Sequence, residues 1–140
     1  MKGQGLLLGV VTAVVLAVVV SGFFLAGTPR QARRAALDQK RIDDISDFSA
    51  ERYQAWKKHR EPPPSSLDEY MEAHPLADGL LDPVTKQPYG YRSLGDGMYE
   101  MCATFDAAVG DEGEFGAPWA HPAGSHCFRF DARRSAQPLR

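Results

Sequence analysis

The sequence predicts an α+β protein in which a long N-terminal helix, apolar at first and then amphipathic, packs on a small antiparallel sheet. Three observations predict this class. An uncharged apolar run covers residues 6–26, a helix-period pattern covers 30–59, and a strand–turn–strand pattern covers 89–105.

The apolar run from Leu6 to Ala26 contains 21 residues and no charge. A helix of that length spans about 30 Å, the hydrocarbon thickness of a bilayer. A cleaved signal peptide is the alternative, but its apolar region normally has about 7–15 residues and ends in small residues. The best cleavage site, after Ala26, has the bulky Phe24 at its −3 position. We therefore expect an uncleaved single-pass anchor.

The charges that flank the anchor give conflicting indications of orientation. The N-terminal side has Lys2, whereas Arg30, Arg33 and Arg34 follow the anchor. The positive-inside rule alone places the C-terminal domain in the cytoplasm. The five-residue N-terminal tail and the paired cysteines favour export instead, and we expect the domain to lie outside. The three arginines are then expected to contact lipid head groups.

Composition and cysteine count narrow the class of protein further. The net charge of −2 gives no basic excess, so nucleic acid is not an expected partner. The two cysteines, Cys102 and Cys127, can form a disulfide worth about 3.5 kcal/mol in the chain-entropy model. Two buried free thiols are the alternative. The expected segments are a cytoplasmic tail (1–5), the anchor (6–26), a juxtamembrane amphipathic helix (27–61), a small domain (62–134) and a flexible tail (135–140).

The amphipathic helix has a core-facing stripe at helical spacing. The stripe consists of Leu37, Ile45, Phe48, Arg52, Ala55 and Trp56, with Ile42 and Tyr53 at its edge. The remaining charges, including Asp38 and the paired carboxylates Asp43 and Asp44, are expected to be solvated. A kink or hinge at Pro29 is expected to join this helix to the anchor.

After the run Pro62–Pro64, which ends the amphipathic helix, Ser66 and Glu69 form a capping-box pattern. The short helix that they begin is expected to end near His74.

The clearest hairpin pairs 89–94 with 98–105 across Gly95-Asp96-Gly97. A two-residue turn pairs Arg92 with Met101, whereas a three-residue loop with Gly97 left-handed pairs Arg92 with Glu100. The second register gathers the apolar residues on one face and opposite charges on the other, so we choose it. That core face consists of Tyr89, Tyr91, Tyr99, Met101, Ala103 and Phe105. Cys102 then points outward, as Cys127 does when Phe128 and Phe130 face inward.

Three segments carry a resemblance to a known family. They are 64–69 (PSSLDE), 82–91 (DPVTKQPYGY) and 99–105 (YEMCATF). The first two resemble the P-x-S-L-x-E and D-P-W-G-x-P-Y-x-Y segments of type IV pilins and type II secretion pseudopilins. The second and third also resemble DP-x-TG-x-PY-x-Y and YELCATF in uncharacterised single-pass bacterial membrane proteins. The resemblance implies a pilin-like periplasmic domain at the bacterial inner membrane, with the N-terminus inside.

One position departs from the pilin pattern. Pilins carry a Glu at the fifth position after the Gly that ends their leader, where it helps to pack subunits. Taking Gly5 as that Gly, the fifth residue is Val10, and the apolar run contains no Glu. We therefore expect a pilin-like domain on a plain signal anchor.

The loop after the hairpin carries an acidic calcium candidate. Asp106, Asp111, Glu112 and Glu114 offer hard oxygen ligands, although their spacing is not that of an EF-hand. Major pseudopilins place calcium in a comparable loop, and a solvated acidic loop is the alternative. No other cofactor is expected.

Other candidates have plainer interpretations. His121, His126 and Cys127 are too few for zinc once Cys127 is in a disulfide. Ser125 beside His126 is not a catalytic triad, and no catalytic residues are assigned. Trp119 is either an exposed docking aromatic or a loop residue that closes the core.

These observations favour a non-catalytic membrane-anchored interaction or scaffold protein, with an unidentified membrane or periplasmic partner. A minor pseudopilin-type subunit of a secretion or pilus system is the first alternative, and it requires cleavage at Gly5. A calcium- or glycan-binding domain is the second alternative, and a calcium-dependent melting temperature tests its calcium form.

Overall fold

The computed structural model describes residues 2–26, 28–75, 80–110 and 117–139. The α+β class is confirmed, because helices precede a three-stranded antiparallel sheet. The chain divides into two compact units, Met1–Arg33 and Arg34–Arg140, which are considered separately.

The first unit contains helix α1, Lys2–Ala26. Its segment Gly3–Gly22 has a mean hydropathy of 2.5 and is long and apolar enough to cross a membrane. Leu and Val side chains are exposed on every side of this segment, up to 74% at Leu8. The hydroxyls of Thr12 and Ser21 donate to carbonyl oxygens four residues earlier, at 2.9 and 2.7 Å. Both hydroxyl donors therefore have hydrogen-bond acceptors within the helix.

Helix α2 spans Pro29–His59 and begins with a capping arrangement that the sequence analysis missed. The Gln31 N–H donates to Thr28 Oγ1 at 3.3 Å, and the Thr28 N–H donates to Gln31 Oε1 at 3.1 Å. Pro29 occupies the first helical position, where its missing N–H costs nothing. Pro29 therefore starts a new helix, and the expected kink or hinge between the anchor and this helix stays a prediction.

Helix α2 ends where Arg60 adopts a left-handed φ of 58°. The short helix α3, Leu67–Ala73, follows the prolines. The predicted cap is confirmed, because the Glu69 N–H donates to the Ser66 side chain at 3.2 Å. The Glu69 carboxylate bonds to Ser65, the residue before the cap.

The sheet consists of β1 (Gly90–Gly95), β2 (Met98–Phe105) and β3 (Gly124–Asp131), in that order. The chosen register is confirmed: Arg92 lies opposite Glu100, and Tyr91 opposite Met101. The turn itself differs, since Gly95 pairs with Met98 and the register shifts between Ser93 and Gly95. A bulge therefore combines the two-residue turn with the register expected of the longer loop.

The core of the second unit lies between α2, α3 and the inner face of the sheet. At its centre the Phe48 ring makes edge-on contacts with Tyr70, Tyr91 and Tyr99, at centroid distances of 5.3, 6.1 and 5.8 Å. Phe130 stacks on Tyr99 at 5.2 Å. The predicted inward faces of all three strands are thereby confirmed.

The C-terminal segment, expected to be a flexible tail, is held against this core. The Leu139 N–H donates to the Arg129 carbonyl oxygen at 2.7 Å, and the Ser49 hydroxyl donates to the Ala136 carbonyl oxygen at 2.6 Å. The expectation is wrong for 135–139, because the edge of β3 and a hydroxyl on α2 supply hydrogen-bond partners. These partners are distant in the sequence, so local sequence patterns do not reveal them.

Candidate functional site

A buried ion cluster lies where α2, the loop before β1 and the end of β2 meet. Arg41, which is 5% exposed, donates from Nε to Asp82 Oδ2 at 2.7 Å. Its Nη1 donates to Asp38 Oδ1 at 2.7 Å and to Asp106 Oδ2 at 3.2 Å. The backbone N–H groups of Asp106 and Ala107 donate to the two Asp38 oxygens, each at 2.9 Å. One guanidinium therefore links three distant segments of the chain.

Pairing keeps Arg41 and Asp82 charged at neutral pH. Burial would lower the pKa of Arg41, but hydrogen bonds to its three carboxylate partners outweigh burial and raise that pKa. Burial would raise the pKa of Asp82, but Arg41 and the backbone N–H groups of Thr85 and Val84 lower it to about 2. A permanently paired cluster stabilises the fold and is poorly suited to transfer protons.

A second buried carboxylate, Asp44, corrects the expectation of a solvated Asp43–Asp44 pair. Asp44 is 4% exposed, forms an ion pair with Lys40 and accepts a hydrogen bond from the Tyr89 hydroxyl at 2.9 Å. Burial, followed by the bond to Asp44, raises the pKa of Tyr89. Asp44 therefore joins α2 to the loop before β1.

The spacing of these buried charges could have revealed them. Asp38, Arg41, Ile45 and Phe48 follow one another at intervals of three or four residues, so the buried stripe continues through charged side chains. The expectation of solvated charges is wrong at Asp38 as well as at Asp44, because neighbouring segments supply their partners.

The acidic calcium candidate falls mostly outside the described residues. Asp111, Glu112 and Glu114 are among the residues that are not described. Asp106 is described, and its carboxylate accepts from Arg41. A guanidinium at 3.2 Å competes directly with a cation for this oxygen. Within residues 2–26, 28–75, 80–110 and 117–139, no group of three or more ligating side chains is placed to hold a metal.

Of the two histidines near β3, His121 is buried and His126 is half-buried. His121 is 5% exposed, stacks on Phe105 with ring centroids 3.8 Å apart, and places Nδ1 3.0 Å from the Pro122 carbonyl oxygen. Burial, and then the proximity of His121, lower the pKa of His126. Rings packed against aromatic neighbours in this way are typical of a structural role.

Trp119 also lies in the core. It is 2% exposed, its ring centroid lies 5.2 Å from that of Phe128, and its Nε1–H donates to Gln137 Oε1 at 2.9 Å. An exposed docking role for Trp119 is therefore wrong, and the alternative of a loop residue that closes the core is observed.

The outer face of the sheet carries a disulfide and three paired charges. The predicted bond between Cys102 and Cys127 is confirmed, and it joins residues directly opposite each other on β2 and β3. Next to it, Glu100 accepts from Arg92 Nη2 and Arg129 Nε, both at 2.6 Å. These bonds lower the pKa of Glu100. The Glu100 side chain is 6% exposed, whereas the arginine side chains are about two-thirds exposed.

A groove of about 470 Å³ opens beside β1, and we call it the β1 groove. Its lining includes the run Pro62–Pro64, Arg52, Tyr70, His74 and Ser93. The Arg52 guanidinium carbon lies 4.7 Å from the centroid of the Tyr70 ring, on which the His74 ring stacks at 4.2 Å. The groove therefore combines proline and aromatic surfaces.

Arg30, Arg33 and Arg34 lie exposed in the first two turns of α2, so they are free to meet a charged surface. No protein-family model, curated protein or solved structure matches the chain.

Proposed function

We propose that this chain is a non-catalytic single-span protein of the bacterial inner membrane, whose disulfide-bonded, pilin-like domain lies in the periplasm and binds other proteins. The observation that carries the proposal is helix α1, whose segment Gly3–Gly22 is apolar and whose described side chains in that segment are exposed on every side. The proposal has three parts: the anchor, the compartment and the role of the domain.

The anchor follows from the energy of exposing α1 to water. Ten Leu and Val side chains between positions 7 and 20 are at least half exposed. Transferring them to an apolar medium is worth on the order of 10–20 kcal/mol. A bilayer supplies that medium along the whole helix, and intrahelical hydrogen bonds satisfy the backbone inside it.

An exported domain is supported by the disulfide. The Cys102–Cys127 pair lies on the outer face of the sheet, where Cys127 is exposed. A bond at such a position persists in an oxidising compartment and is readily reduced in the cytosol. With the domain exported, a single span leaves the N-terminus on the cytoplasmic side.

A binding role, as opposed to a catalytic one, is supported by the use of the buried charges. The buried side chains of Arg41, Asp38, Asp44 and Asp82 bond to one another or to neighbouring segments. A nucleophile needs an adjacent base and a group to orient that base. The described charges instead hold a scaffold together, which leaves its exposed surfaces for partners.

The membrane and compartment parts are tested by fusions and thiol labelling. Alkaline phosphatase fused after Arg140 is expected to be active, whereas β-galactosidase at the same position is expected to be inactive. In intact cells the cysteines should resist a thiol reagent until a reductant is added, with the Cys102→Ser/Cys127→Ser variant as the unlabelled control. An active β-galactosidase fusion with both thiols free would overturn the proposal.

The binding part is tested in the membrane by photo-crosslinking. A photoreactive residue at an exposed domain position, such as Ser93, is expected to give discrete adducts with membrane or periplasmic proteins. The matched control places the same probe at Lys57 on α2. Recovery of the chain only as an unlinked monomer from both positions would contradict a binding role.

A second candidate, a minor pseudopilin-type subunit, is favoured by one observation. Long helices precede a three-stranded antiparallel sheet, which is the order expected from the pilin resemblance. Leader cleavage after Gly5 would give a mature chain that starts at Leu6. Mass spectrometry of the membrane-extracted protein tests for this cleavage, since an intact N-terminus at Met1 refutes filament-type processing.

A further inference from the structure

We infer that the free edge of β1 accepts an extended segment of a partner protein, which adds a fourth strand to the sheet. That segment carries acidic residues on the outer face of the sheet and apolar residues on the side of the β1 groove. The inference rests on the proposed binding role of the domain and names the class of partner.

Strand β1 is an edge strand, because the sheet order is β1-β2-β3. At the opposite edge, the Leu139 N–H donates to the Arg129 carbonyl oxygen of β3 at 2.7 Å. Among the described residues, no backbone hydrogen bond reaches the outer edge of β1. The tail therefore covers part of one edge. At the other edge the Tyr89 N–H, just before β1, donates to the Leu80 carbonyl oxygen at 3.1 Å, so the part of the edge open to a strand from another chain is β1 itself.

The register shows which β1 groups face this open edge. The Cα atoms of Cys102 and Cys127 are 4.0 Å apart, which is the close spacing of a non-hydrogen-bonded antiparallel pair. The backbone groups of Cys102 therefore point towards its other partner, Gly90. Gly90 and Cys102 therefore form a hydrogen-bonded pair, and such pairs alternate with non-hydrogen-bonded pairs along an antiparallel ladder. Tyr91 and Ser93 lie at the non-hydrogen-bonded positions, so their N–H and C=O groups point to the free edge.

The opposite edge supports this assignment independently. The same alternation directs the backbone groups of Cys127 and Arg129 away from β2. The carbonyl oxygen that accepts from Leu139 is that of Arg129, as the alternation requires. The direction of the free β1 groups is therefore consistent with a hydrogen bond elsewhere in the sheet.

The β1 groove determines what the inward side chains of an added strand can be. Ser93, whose backbone faces the edge, lines this groove together with Pro63 and Tyr70. Glu61 and Glu69 also line it, and both are exposed carboxylates. Arg52 also lines the groove, but its guanidinium is already paired with Glu51 and Glu61. An acidic side chain would therefore be repelled there, whereas an apolar one can cover the proline and aromatic surfaces.

The outer face determines the other side chains of the added strand. Arg92 and Arg129 share the single carboxylate of Glu100, so the three groups carry a net charge of +1. The Arg92 side chain is 67% exposed. An acidic residue directly opposite Arg92 on an added strand would complete this charge pairing. Alternating acidic and apolar residues therefore match the two faces beside β1.

The test uses the full chain in detergent micelles and a dye-labelled octapeptide of alternating Glu and Val. Fluorescence anisotropy is expected to show saturable binding by this peptide. A peptide with four Glu followed by four Val keeps the composition but loses the alternation. A Lys–Val alternating peptide keeps the alternation but reverses the charge. Both should bind at least about tenfold more weakly, a loss of about 1.4 kcal/mol.

Ser93→Pro removes the outward N–H without removing a β1–β2 hydrogen bond, and an edge strand tolerates proline at such a position. This variant is expected to lose about tenfold in affinity, whereas Lys57→Ala, at an exposed position of α2 outside the groove, should bind as the unmodified chain does. Since Ser93→Pro could disturb folding, amide hydrogen exchange of the unmodified chain provides a second readout. The alternating peptide should slow exchange at Tyr91 and Ser93 but not at Leu139.

Absence of binding by the alternating peptide at millimolar concentration, equal binding by the block peptide, or unchanged exchange at Tyr91 and Ser93 would overturn the inference. The proposed function fails separately, through the fusion, labelling and crosslinking results. Crosslinked partners together with an unoccupied β1 edge would leave the binding role intact and place the partner on another surface.

Discussion

Removing the Arg41 guanidinium tests whether the buried ion cluster holds the domain together. The change is Arg41→Met, which keeps much of the side-chain length and removes the charge. Asp38, Asp82 and Asp106 then face one another without the cation to which all three now bond, at distances of 2.7–3.2 Å.

The expected cost follows from the burial of the pairs. The Arg41 and Asp38 side chains are each 6% exposed and that of Asp82 is 12% exposed, so solvent screens these pairs poorly. Removing one partner of a buried ion pair typically costs about 3–5 kcal/mol, because the other charge stays behind without compensation. For a domain of this size that loss lowers the melting temperature by at least about 12 °C.

The assay is unfolding of the full chain in detergent micelles, followed by the fluorescence of Trp119, which is buried, and Trp56, which packs against the core. Arg34→Met is the matched control, because Arg34 is exposed on the same helix, and it should change stability by at most about 0.5 kcal/mol. Arg41→Lys keeps the charge but loses the planar fork, so it should fall between the other two.

The dependence on pH separates electrostatics from simple loss of packing. The folded pKa of Asp82 is about 2, below its ordinary value near 3.8, so its ion-pair stabilisation is present above about pH 4 and is lost as the pH falls through 2. In Arg41→Met, protonation at low pH relieves the unpaired carboxylates. The stability gap between the two proteins should therefore narrow below pH 4. A gap that is absent at pH 7, or that is constant with pH, would refute the reasoning.

Three further predictions concern the disulfide, the tail and the hairpin turn. Replacing Cys102 and Cys127 by Ser should cost about 3.5 kcal/mol in denaturant unfolding, and reductant should then have no further effect. Deleting 135–140 should cost about 1–3 kcal/mol, since it removes partners of buried groups; unchanged stability would mean that the tail is not held in solution. Gly97→Ala should cost more than about 1 kcal/mol, because Gly97 has a φ of 78° and an added Cβ would lie 2.9 Å from a side-chain carbon. Gly110→Ala, with open space around its Cβ position, is the control, and equal losses in the two variants would contradict the argument.

The register of the hairpin could be predicted because the pleat allows few solutions. Aromatic and apolar residues alternate with polar ones along both strands. Shifting the pairing by one residue would turn all the apolar side chains of one strand to the outer face. The same alternation placed both cysteines on the outer face, and this agreement supported the disulfide predicted from the cysteine count. The turn was harder to predict, since the bulge between Ser93 and Gly95 allows a short loop to produce the register of a longer one.

Side-chain polarity alone does not predict the buried charges, although their spacing continues the apolar stripe of α2. On a helix face, Asp38 and Arg41 look like solvated residues, because an isolated charge is costly to bury. They are buried because Asp82 and Asp106, 41 and 65 residues after Arg41, converge on the same guanidinium. The held tail has a similar origin, since its partners Ser49 and Arg129 lie on separate elements.

The sequence by itself determined the apolar helix, the amphipathic helix, the strand faces and the cysteine pair. These features depend on side-chain polarity that repeats every 3.6 residues in a helix and every 2 in a strand. Residues close together in the sequence are enough to show such a repeat. Only the tertiary structure decided which charges are buried, where the tail lies and which sheet edge stays open. Each of those outcomes requires hydrogen-bond partners that are distant along the chain, and folding alone brings those partners within bonding distance.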